Sequence, residues 1–328
     1  MNRKICIVGG GPAGLSCALW VKYLGLSPII LEKHSRLGGL QHTNSFQNTW
    51  YMGIPGKNGQ AFIQDFIRHA EAETLPTLLN ASPQKITQSG DDFHITVGRT
   101  EILAKALVIC TGQHIRRYDH VQEIAGSEVL KDSPQVCFNP GSTPLQVPYV
   151  AGQHVAIIGG GDNGLATAAL MASTADHIHL IVRSEIRGFG LYKQWVMDGI
   201  QSGKITLHQP AHIQRFETKG DQIGITLWNG DRNPVTLPVD FICFRLGLSP
   251  NVKAIDTSLQ NSGIGRLALT PSGYIKTDEF CRTSIPRIYA AGDVANQRDP
   301  CVATAVAQGT IAARSLEADL RSRCWRFS

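Results

Sequence analysis

Ile5-Cys6-Ile7-Val8-Gly9-Gly10-Gly11-Pro12-Ala13-Gly14 is the stretch on which the fold prediction depends. An apolar β-strand runs here into a glycine-rich turn and then a helix, and three of the glycines have the G-x-G-x-x-G spacing. The first permits a tight turn, the second lets the backbone approach a pyrophosphate, and the third allows close packing of helix on strand. The helix N-terminus adds N–H donors for phosphate. We therefore predict a dinucleotide site that includes Gly9, Gly11, Pro12, Ala13 and Gly14.

A second predicted strand, residues 28–31, ends at Glu32, 18 residues after Gly14. An acidic side chain at this distance accepts hydrogen bonds from the adenosine ribose hydroxyls. A lone glycine motif is weak evidence, but the strand, the helix and the acid together indicate a Rossmann-type unit.

The composition is that of a globular protein. The chain has 328 residues, 42% hydrophobic and 17% charged, with a net charge of +5. No basic run indicates nucleic-acid binding, no apolar run reaches the ~20 residues of a membrane span, and the histidines show no metal-ligand spacing. We expect a cytosolic protein whose eight cysteines are mostly reduced.

The opening pattern is repeated at residues 154–164, again as an apolar strand, G-x-G-x-x-G and a helix. The next strand, residues 179–182, ends at Arg183, where a guanidinium suits an adenosine 2′-phosphate or another phosphate. The alternative for Arg183 is a surface salt bridge, and Arg187 is undecided between the two. We predict that Asp162 and Asn163 cap the helix. The second site then comprises Gly159, Gly161, Asp162, Asn163, Gly164 and Arg183.

Further motifs lie along the chain. The turn at 37–41 contains Gly39 and Gln41, and the strand at 106–109 leads to Thr111 and Gly112, where we expect the chain to close over a dinucleotide. Residues 113–152, rich in proline, glycine and charge, are expected to be an irregular linker. Helices are expected near 190–202 and 302–320, and strands at 204–208, 211–217, 223–228 and 239–244.

Near the C-terminus, the strand beginning at Ile288 ends in Gly292-Asp293. An aspartate at such a strand end can accept a hydrogen bond from a ribityl hydroxyl of a flavin.

This order of motifs resembles the low-molecular-weight thioredoxin reductase group over nearly the whole chain. The resemblance implies an α/β fold with two Rossmann-like, three-layer ββα domains. A discontinuous FAD-binding domain would comprise residues 1–115 and 247–328, and a second, NADPH-like domain residues 116–246. It also implies a homodimer.

The resemblance further implies where FAD would bind. The pyrophosphate would lie at the first glycine turn, the ribose at Glu32 and the ribityl chain at Asp293. Cys301 and Val302 would lie beside the pyrimidine edge of the isoalloxazine.

Three departures set the chain apart from that group. It contains no Cys-x-x-Cys, and the region before the second glycine motif has Cys137 alone. The arginine set that clamps NADPH is reduced to Arg183 and Arg187. The acidic residue of the helix after the second motif is replaced by residues 166–168, Ala-Thr-Ala.

These departures resemble the diflavin-linked disulfide oxidoreductases, which hold a second FAD in the NADPH position near a redox-active disulfide. A second FAD needs the pyrophosphate turn but not the 2′-phosphate clamp. The resemblance therefore implies two FAD per chain and makes NADPH doubtful.

Cys137 and Cys301 are the candidate catalytic thiols, and a Cys137–Cys301 disulfide is the candidate redox couple. The alternative is that either one is a small buried apolar residue. Cys110 is the reserve candidate. Cys6, Cys17 and Cys243 are interpreted as packing residues, and Cys281 and Cys324 have no assigned role.

The sequence leaves the roles of three aromatic residues open. Trp50 could stack on a flavin or belong to the core. Trp325 and Phe327 could cover a flavin or lie in a disordered tail.

The resulting hypothesis is a flavin-dependent oxidoreductase that exchanges electrons between FAD and the thiol or disulfide of a small molecule or protein. One alternative is an NADPH-dependent flavoprotein reductase, similar to a ferredoxin–NADP reductase of this fold, without the dithiol. The other is a non-catalytic flavin-binding redox sensor.

Overall fold

The computed structural model describes residues 4–228 and 234–322. The chain forms two compact units. Unit 1 contains the chain up to His42, Gln47–His114 and the part from Ser249 onward, and unit 2 contains Thr43–Phe46 and Ile115–Leu248.

The N-terminal part of unit 1 alternates strands and helices before a run of short strands. Its elements are β1 (Lys4–Val8), α1 (Pro12–Tyr23), β2 (Ser27–Leu31), α2 (Gly59–Ala72), β3 (Thr77–Leu78), β4 (Lys85–Ser89), β5 (Asp92–Val97), β6 (Thr100–Ala104), β7 (Ala106–Ile109) and β8 (Gln113–Ile115).

The middle of the chain repeats this alternation. Its elements are β9 (Val136–Cys137), α3 (Thr143–Gln146), β10 (His154–Ile158), α4 (Asp162–Met171), β11 (His177–Ile181), α5 (Gly190–Gln201), β12 (Ile205–His208), β13 (His212–Lys219), β14 (Gln222–Trp228), β15 (Val235–Val239), β16 (Phe241–Phe244) and β17 (Leu248–Pro250). The chain then completes unit 1 with α6 (Lys253–Asn261), β18 (Ile288–Ala290) and α7 (Val302–Ser322).

Unit 1 is built on a parallel sheet in the order β18-β7-β1-β2-β3. Alternate residues of the buried strand β1 face opposite sides of this sheet. Ile5 and Ile7 pack into a core with residues of α1 and α7. Cys6 and Val8 pack into a second core with residues of the antiparallel sheet β4-β5-β6. Unit 1 therefore has three layers.

Unit 2 has the same layers. Its parallel sheet has the order β12-β11-β10-β16-β9, and the antiparallel sheet is β13-β14-β15. Val155 and Ile157 of β10 pack with α4, whereas Ala156 and Ile158 pack into a core with β13 and β14. The repeated sequence pattern is thus a repeated architecture, and the predicted α/β fold with two Rossmann-like units is confirmed.

The expectation of an irregular linker over residues 113–152 is wrong. The segment supplies β9, which pairs with β16 at the edge of the second sheet, and its Val121, Leu130 and Val150 are buried. Its few apolar residues are scattered among prolines and glycines, so the sequence shows no period, yet these residues enter the cores of unit 2.

The other expected elements are present with small shifts, such as α5 at Gly190–Gln201 and α7 at Val302–Ser322. Strand β15 was not expected. Within the described residues, no helix combines the length and apolar character needed to cross a membrane.

Candidate functional site

The first glycine turn has the geometry that its spacing predicts. Gly9 has a φ of +109°, and a Cβ atom there would overlap the carbonyl oxygen of Cys110. A Cβ at Gly14 would overlap the carbonyl oxygen of Gly9, whereas a Cβ at Gly11 would meet nothing within 4 Å. The first and third glycines are thus required by packing, and the second faces open space.

Helix α1 begins at this open side of the turn. Gly11 is its N-cap, no side chain caps it, and Pro12 opens its first turn. Uncapped N–H groups and the positive end of the helix dipole form a site for an anion such as a pyrophosphate.

Glu32 is buried, with 4% of its surface exposed. Its carboxylate accepts hydrogen bonds from the N–H groups of Gly10 (2.8 Å) and His34 (2.9 Å). A carboxylate has about four lone-pair sites. Glu32 is therefore fixed at the turn and still has acceptor capacity for ribose hydroxyls.

The turn that contains Gly39 and Gln41 lies against the same site. The N–H of Gly38 donates to the carbonyl oxygen of Gly10 (2.8 Å), and a Cβ at Gly39 would come within 3.5 Å of the Gly11 Cα. Gln41 is half-buried in a short 3₁₀ helix that begins at Gly39.

Thr111 and Gly112 are held by a residue whose role the sequence reasoning missed. The Thr111 hydroxyl donates to the carbonyl oxygen of Asn251 (2.7 Å), and the Asn251 side-chain amide donates to the carbonyl oxygen of Thr111 (2.8 Å). The Asn251 N–H donates to the carbonyl oxygen of Gly112 (3.0 Å). Asn251 therefore fixes the strand end after β7.

Asp293 carries a carboxyl oxygen that the described residues leave unsatisfied. Its Oδ1 is buried and has no hydrogen-bond partner among the described residues. Burial raises the pKa of this carboxyl to about 6. A buried acceptor of this kind needs a donor, and a ligand hydroxyl would supply one. The residues of unit 1 thus fit a dinucleotide with a polyol chain.

Cys301 and Val302 lie at the start of α7. Cys301 is exposed, and its sulfur is 3.4 Å from the Thr304 hydroxyl and 3.5 Å from the Thr304 backbone nitrogen. The sulfur therefore lies beside the first turn of this helix.

The second glycine turn, in unit 2, reproduces the first. Gly159 has a φ of +134°, and a Cβ there would overlap the carbonyl oxygen of Arg245. A Cβ at Gly164 would overlap the carbonyl oxygen of Gly159, and a Cβ at Gly161 would meet nothing within 4 Å. Unit 2 therefore also offers an open pyrophosphate turn.

The prediction that Asp162 and Asn163 cap α4 is wrong. The N-cap is Gly161, without a side-chain cap. Asp162 is the first helical residue, and its Oδ1 accepts the N–H of Phe189 (2.7 Å). This carboxylate holds the loop before α5 and leaves the end of α4 open to an anion.

Arg183 is exposed and forms no hydrogen bond or ion pair with the described residues. The alternative interpretation, a surface salt bridge of Arg183, therefore finds no partner among the described residues. Arg187 donates its backbone N–H to the Gly160 carbonyl oxygen (2.8 Å) and its guanidinium to the Ser184 hydroxyl (3.3 Å). Arg183 is thus the guanidinium still available to a ligand phosphate.

Cys137 ends β9 and is 7% exposed. Burial acts to raise the pKa of its thiol, but the charge of Arg245 and hydrogen bonds with Ser142 and Gln146 hold the pKa below its ordinary value. Cys137 belongs to unit 2 and Cys301 to unit 1. Their disulfide stays a prediction.

The remaining candidate site residues have weaker support. Cys110 is buried and burial raises the pKa of its thiol, which makes it a poor nucleophile. Trp50 is 67% exposed, so the core interpretation is wrong. Cys324, Trp325 and Phe327 lie outside the described residues. Within these, no three His, Cys, Asp or Glu side chains group as a metal site.

Comparison with known proteins gives consistent matches along the chain. Residues 3–309 match the family model described as pyridine nucleotide-disulphide oxidoreductase. The thioredoxin reductase of Escherichia coli O157:H7 is 27% identical over 96% of this chain and 95% of its own length. NADPH-dependent thioredoxin reductase 3 of Arabidopsis thaliana is 27% identical over 98% of this chain, which spans 59% of that protein.

A solved structure shows the same fold. The thioredoxin reductase of T. acidophilum superimposes with a TM-score of 0.79 at 25% identity, over 98% of this chain and all of the other.

Proposed function

Because the chain belongs to the pyridine nucleotide-disulphide oxidoreductase family, we propose that it passes electrons between FAD and a thiol or disulfide partner. It is a thioredoxin reductase-like, FAD-dependent oxidoreductase. The reaction beyond that class is our proposal.

The observation that carries the proposal is the buried Oδ1 of Asp293, which has no partner among the described residues and lies in the same unit as an open glycine turn. Bound FAD would supply a two-electron acceptor. The open side of Gly11 and the end of α1 would hold its pyrophosphate, Glu32 its ribose hydroxyls and Asp293 its ribityl hydroxyls. We assign this FAD-binding domain to residues 1–115 and 247–328.

We assign a second FAD to residues 116–246. The second turn has the same open glycine, Gly161, and an uncapped helix N-terminus. The arginine set beside it consists of Arg183 and Arg187, and Arg187 already bonds Ser184. A ligand without a 2′-phosphate fits this reduced set, which supports FAD over NADPH.

Cys137 and Cys301 are the proposed thiols. Cys301 is exposed beside a helix N-terminus, and Cys137 lies beside a guanidinium that favours its thiolate. The partner would be a small-molecule or protein thiol or disulfide, the compartment reducing, and the chain a homodimer.

Flavin stoichiometry tests the proposal. FAD released by denaturation should approach two per chain in the wild type and one per chain in Gly11→Ala or Gly161→Ala. Each added methyl enters open space at an N-cap with an ordinary φ, so the fold should be unchanged while the pyrophosphate approach is blocked.

One FAD per chain, lost in Gly11→Ala and kept in Gly161→Ala, would refute the second flavin. Rapid bleaching of that single flavin by NADPH would favour the NADPH-dependent reductase, which Arg183, without a partner in the described part of the chain, also supports. Bound flavin without turnover of thiols or nicotinamides would favour the redox sensor.

A further inference from the structure

Two cysteines of unit 2 face each other across neighbouring strands. Cys137 of β9 and Cys243 of β16 are direct partners in a parallel pair, and both belong to the core cluster on the α4 side of the sheet. Neighbouring strands lie about 4.8 Å apart, which is inside the range of about 4.4–6.8 Å that disulfides span between Cα atoms. The register therefore places the two Cα atoms at a separation that a disulfide can span.

A buried cation accompanies this pair. Arg245 follows Cys243 by two residues and is 6% exposed. Its guanidinium donates to the Thr167 hydroxyl (2.9 Å) and the Thr143 hydroxyl (2.9 Å). It also donates to the carbonyl oxygens of Cys137 (3.2 Å) and Phe244 (3.0 Å). All these acceptors are neutral.

A buried guanidinium keeps its charge, and burying it without a counter-charge is costly. No carboxylate of the described residues pairs with Arg245. The Cys137 sulfur lies 3.9 Å from its Nη1. A thiolate at Cys137 would supply the missing negative charge, with the Ser142 hydroxyl as a further donor at 3.5 Å.

The two thiols differ in the way that a dithiol redox pair requires. The pKa of Cys137 is held below its ordinary value, whereas burial raises the pKa of Cys243 to about 12 and Arg245 offsets only part of this effect. Cys137 retains 7% of its surface and Cys243 none. One sulfur is therefore suited to attack a partner and the other to resolve the product from inside.

We propose that Cys137 and Cys243 are a redox-active dithiol, with Cys137 as nucleophile, Cys243 as resolving thiol and Arg245 as the residue that positions the Cys137 thiolate. The substrate class is a disulfide. The Cys137 thiolate attacks one sulfur of the substrate, a mixed disulfide forms, and the second substrate sulfur leaves as a thiolate that takes up a proton.

Cys243 then attacks the Cys137 sulfur and loses its proton, and the remaining substrate thiol departs. One disulfide is reduced to two thiols, and the Cys137–Cys243 pair is oxidised by two electrons.

The proposal rests on the thiol–disulfide activity proposed above and replaces the packing interpretation of Cys243. It also places the dithiol beside the second glycine turn, because Gly159 packs against the backbone of Arg245. Cys301 is then not needed as the partner of Cys137.

Peptide mapping tests the pair directly. Trypsin places Cys137, Cys243 and Cys301 in separate peptides, residues 132–183, 233–245 and 299–314, each with a single cysteine. The native holoprotein is treated with oxidised glutathione, blocked with N-ethylmaleimide and digested without reductant. We expect 132–183 linked to 233–245. A link between 132–183 and 299–314, or no link to 132–183, would overturn the proposal.

Single variants test the two roles. Cys243→Ser should accumulate glutathione on Cys137, because the resolving thiol is missing. Cys137→Ser should leave Cys243 unmodified, and Cys301→Ser should still form the 132–183 to 233–245 link. Glutathione on Cys243 in Cys137→Ser would contradict the assigned order.

The role of Arg245 needs a pH profile. In the Cys243→Ser background, Arg245→Gln should slow glutathione addition at Cys137 by about tenfold at neutral pH and shift the profile to higher pH, because the thiolate loses its counter-charge. Arg245→Lys should retain most of the rate. Equal pH profiles of glutathione addition in Cys243→Ser and in Cys243→Ser with Arg245→Gln would refute the role. If Arg245→Gln does not fold, the Cys243→Ser profile decides alone: a profile like that of an ordinary thiol would refute the role.

Electron exchange between the thiols and bound FAD, followed by flavin absorbance, separates this proposal from the previous one. A Cys137–Cys243 disulfide in a chain whose thiols exchange no electrons with FAD would refute the proposed function and leave the dithiol intact.

Discussion

At the scale of single residues, Asp293 is expected to lower the stability of the cofactor-free protein and to strengthen binding of the cofactor. Its buried Oδ1 has no donor among the described residues, and burial raises the pKa of the carboxyl to about 6. Since this folded-state value lies above the ordinary 3.8, the ionised form opposes folding of the cofactor-free protein. This penalty is absent below about pH 4 and grows as pH rises to about 6.

Asp293→Asn should therefore have opposite effects on stability and cofactor binding. At neutral pH the cofactor-free variant should be more stable to urea than the parent, by up to about 3 kcal/mol, because the buried charge is removed. Its FAD affinity should fall, because an amide is a weaker acceptor for hydroxyls than a carboxylate. Titration of FAD into stripped protein measures the affinity, and Asp299→Asn, at an exposed site, is the control. Unchanged FAD affinity would contradict the assignment.

At the scale of elements, strands β10, β11 and β12 carry a histidine cluster on one face of the sheet, formed by His154, His177, His179 and His208. His154 pairs in register with His177, and His179 is two residues further along β11. The rings of His179 and His208 approach to 3.2 Å between Nδ1 and Nε2. Burial and the neighbouring histidines lower the pKa of His179 to about 4, and burial also lowers the pKa values of His177 and His208.

Acid should therefore destabilise unit 2 through this cluster. Between about pH 6.5 and pH 4 the unfolded chain binds protons that the folded cluster resists, so stability falls as pH falls. For His179 alone the loss between about pH 7 and pH 5 is about 1–2 kcal/mol. His179→Leu should flatten the pH dependence of urea unfolding over that range, whereas His212→Leu, at an exposed position outside the cluster, should not. Equal slopes in parent and His179→Leu would show that the cluster is not the cause.

The contact between α1 and α7 depends on Gly309. A Cβ there would overlap the carbonyl oxygen of Ala13, and the nearby Ser16 hydroxyl donates to the carbonyl oxygen of Val306 (2.8 Å). The last helix thus supports the first turn of α1, where the pyrophosphate is proposed to bind.

Gly309→Ala should lower the free energy of unfolding by about 1–3 kcal/mol, because the methyl forces the two helices apart. It should also weaken FAD retention during gel filtration. Gly190→Ala in α5 is the matched control, since its Cβ would meet nothing within 4 Å. Wild-type stability in Gly309→Ala would contradict the prediction, because it would mean that α1 and α7 can move apart without lowering the free energy of unfolding.

At the scale of the whole molecule, the cysteines differ in access. Of the seven in the described residues, Cys301 is exposed and six are buried. Burial raises the pKa values of Cys6, Cys243 and Cys281 to about 12. Exposure therefore separates one fast-reacting thiol, Cys301, from the other described cysteines.

Thiol titration of the reduced, native Cys324→Ser protein should show one fast equivalent, from Cys301, and slower reaction of Cys137 because of its burial. All seven remaining thiols should react in denaturant. Cys301→Ser in the same background should remove the fast phase. A fast phase that survives this substitution would show that a buried cysteine is accessible.

The sequence predicts local features well and long-range partnerships poorly. Both glycine turns are found because the reason for each glycine lies within a few residues of chain. Arg245 is missed because its role depends on Cys137, more than 100 residues away. Likewise, Asp162 has the right residue type for a cap but bonds a loop 27 residues away. The histidine cluster could have been predicted in part, because His177 and His179 are two residues apart on one strand and therefore share a face.

The placement of β18 and α7 in unit 1 has a consequence for synthesis. The first sheet lacks its edge strand, and α1 lacks its supporting helix, until residues 288–322 have left the ribosome. Unit 2 is complete at Leu248, when the C-terminal part of unit 1 has not yet been translated. Domains generally fold as units during translation. Unit 2 can therefore become native while the first sheet still lacks its edge strand.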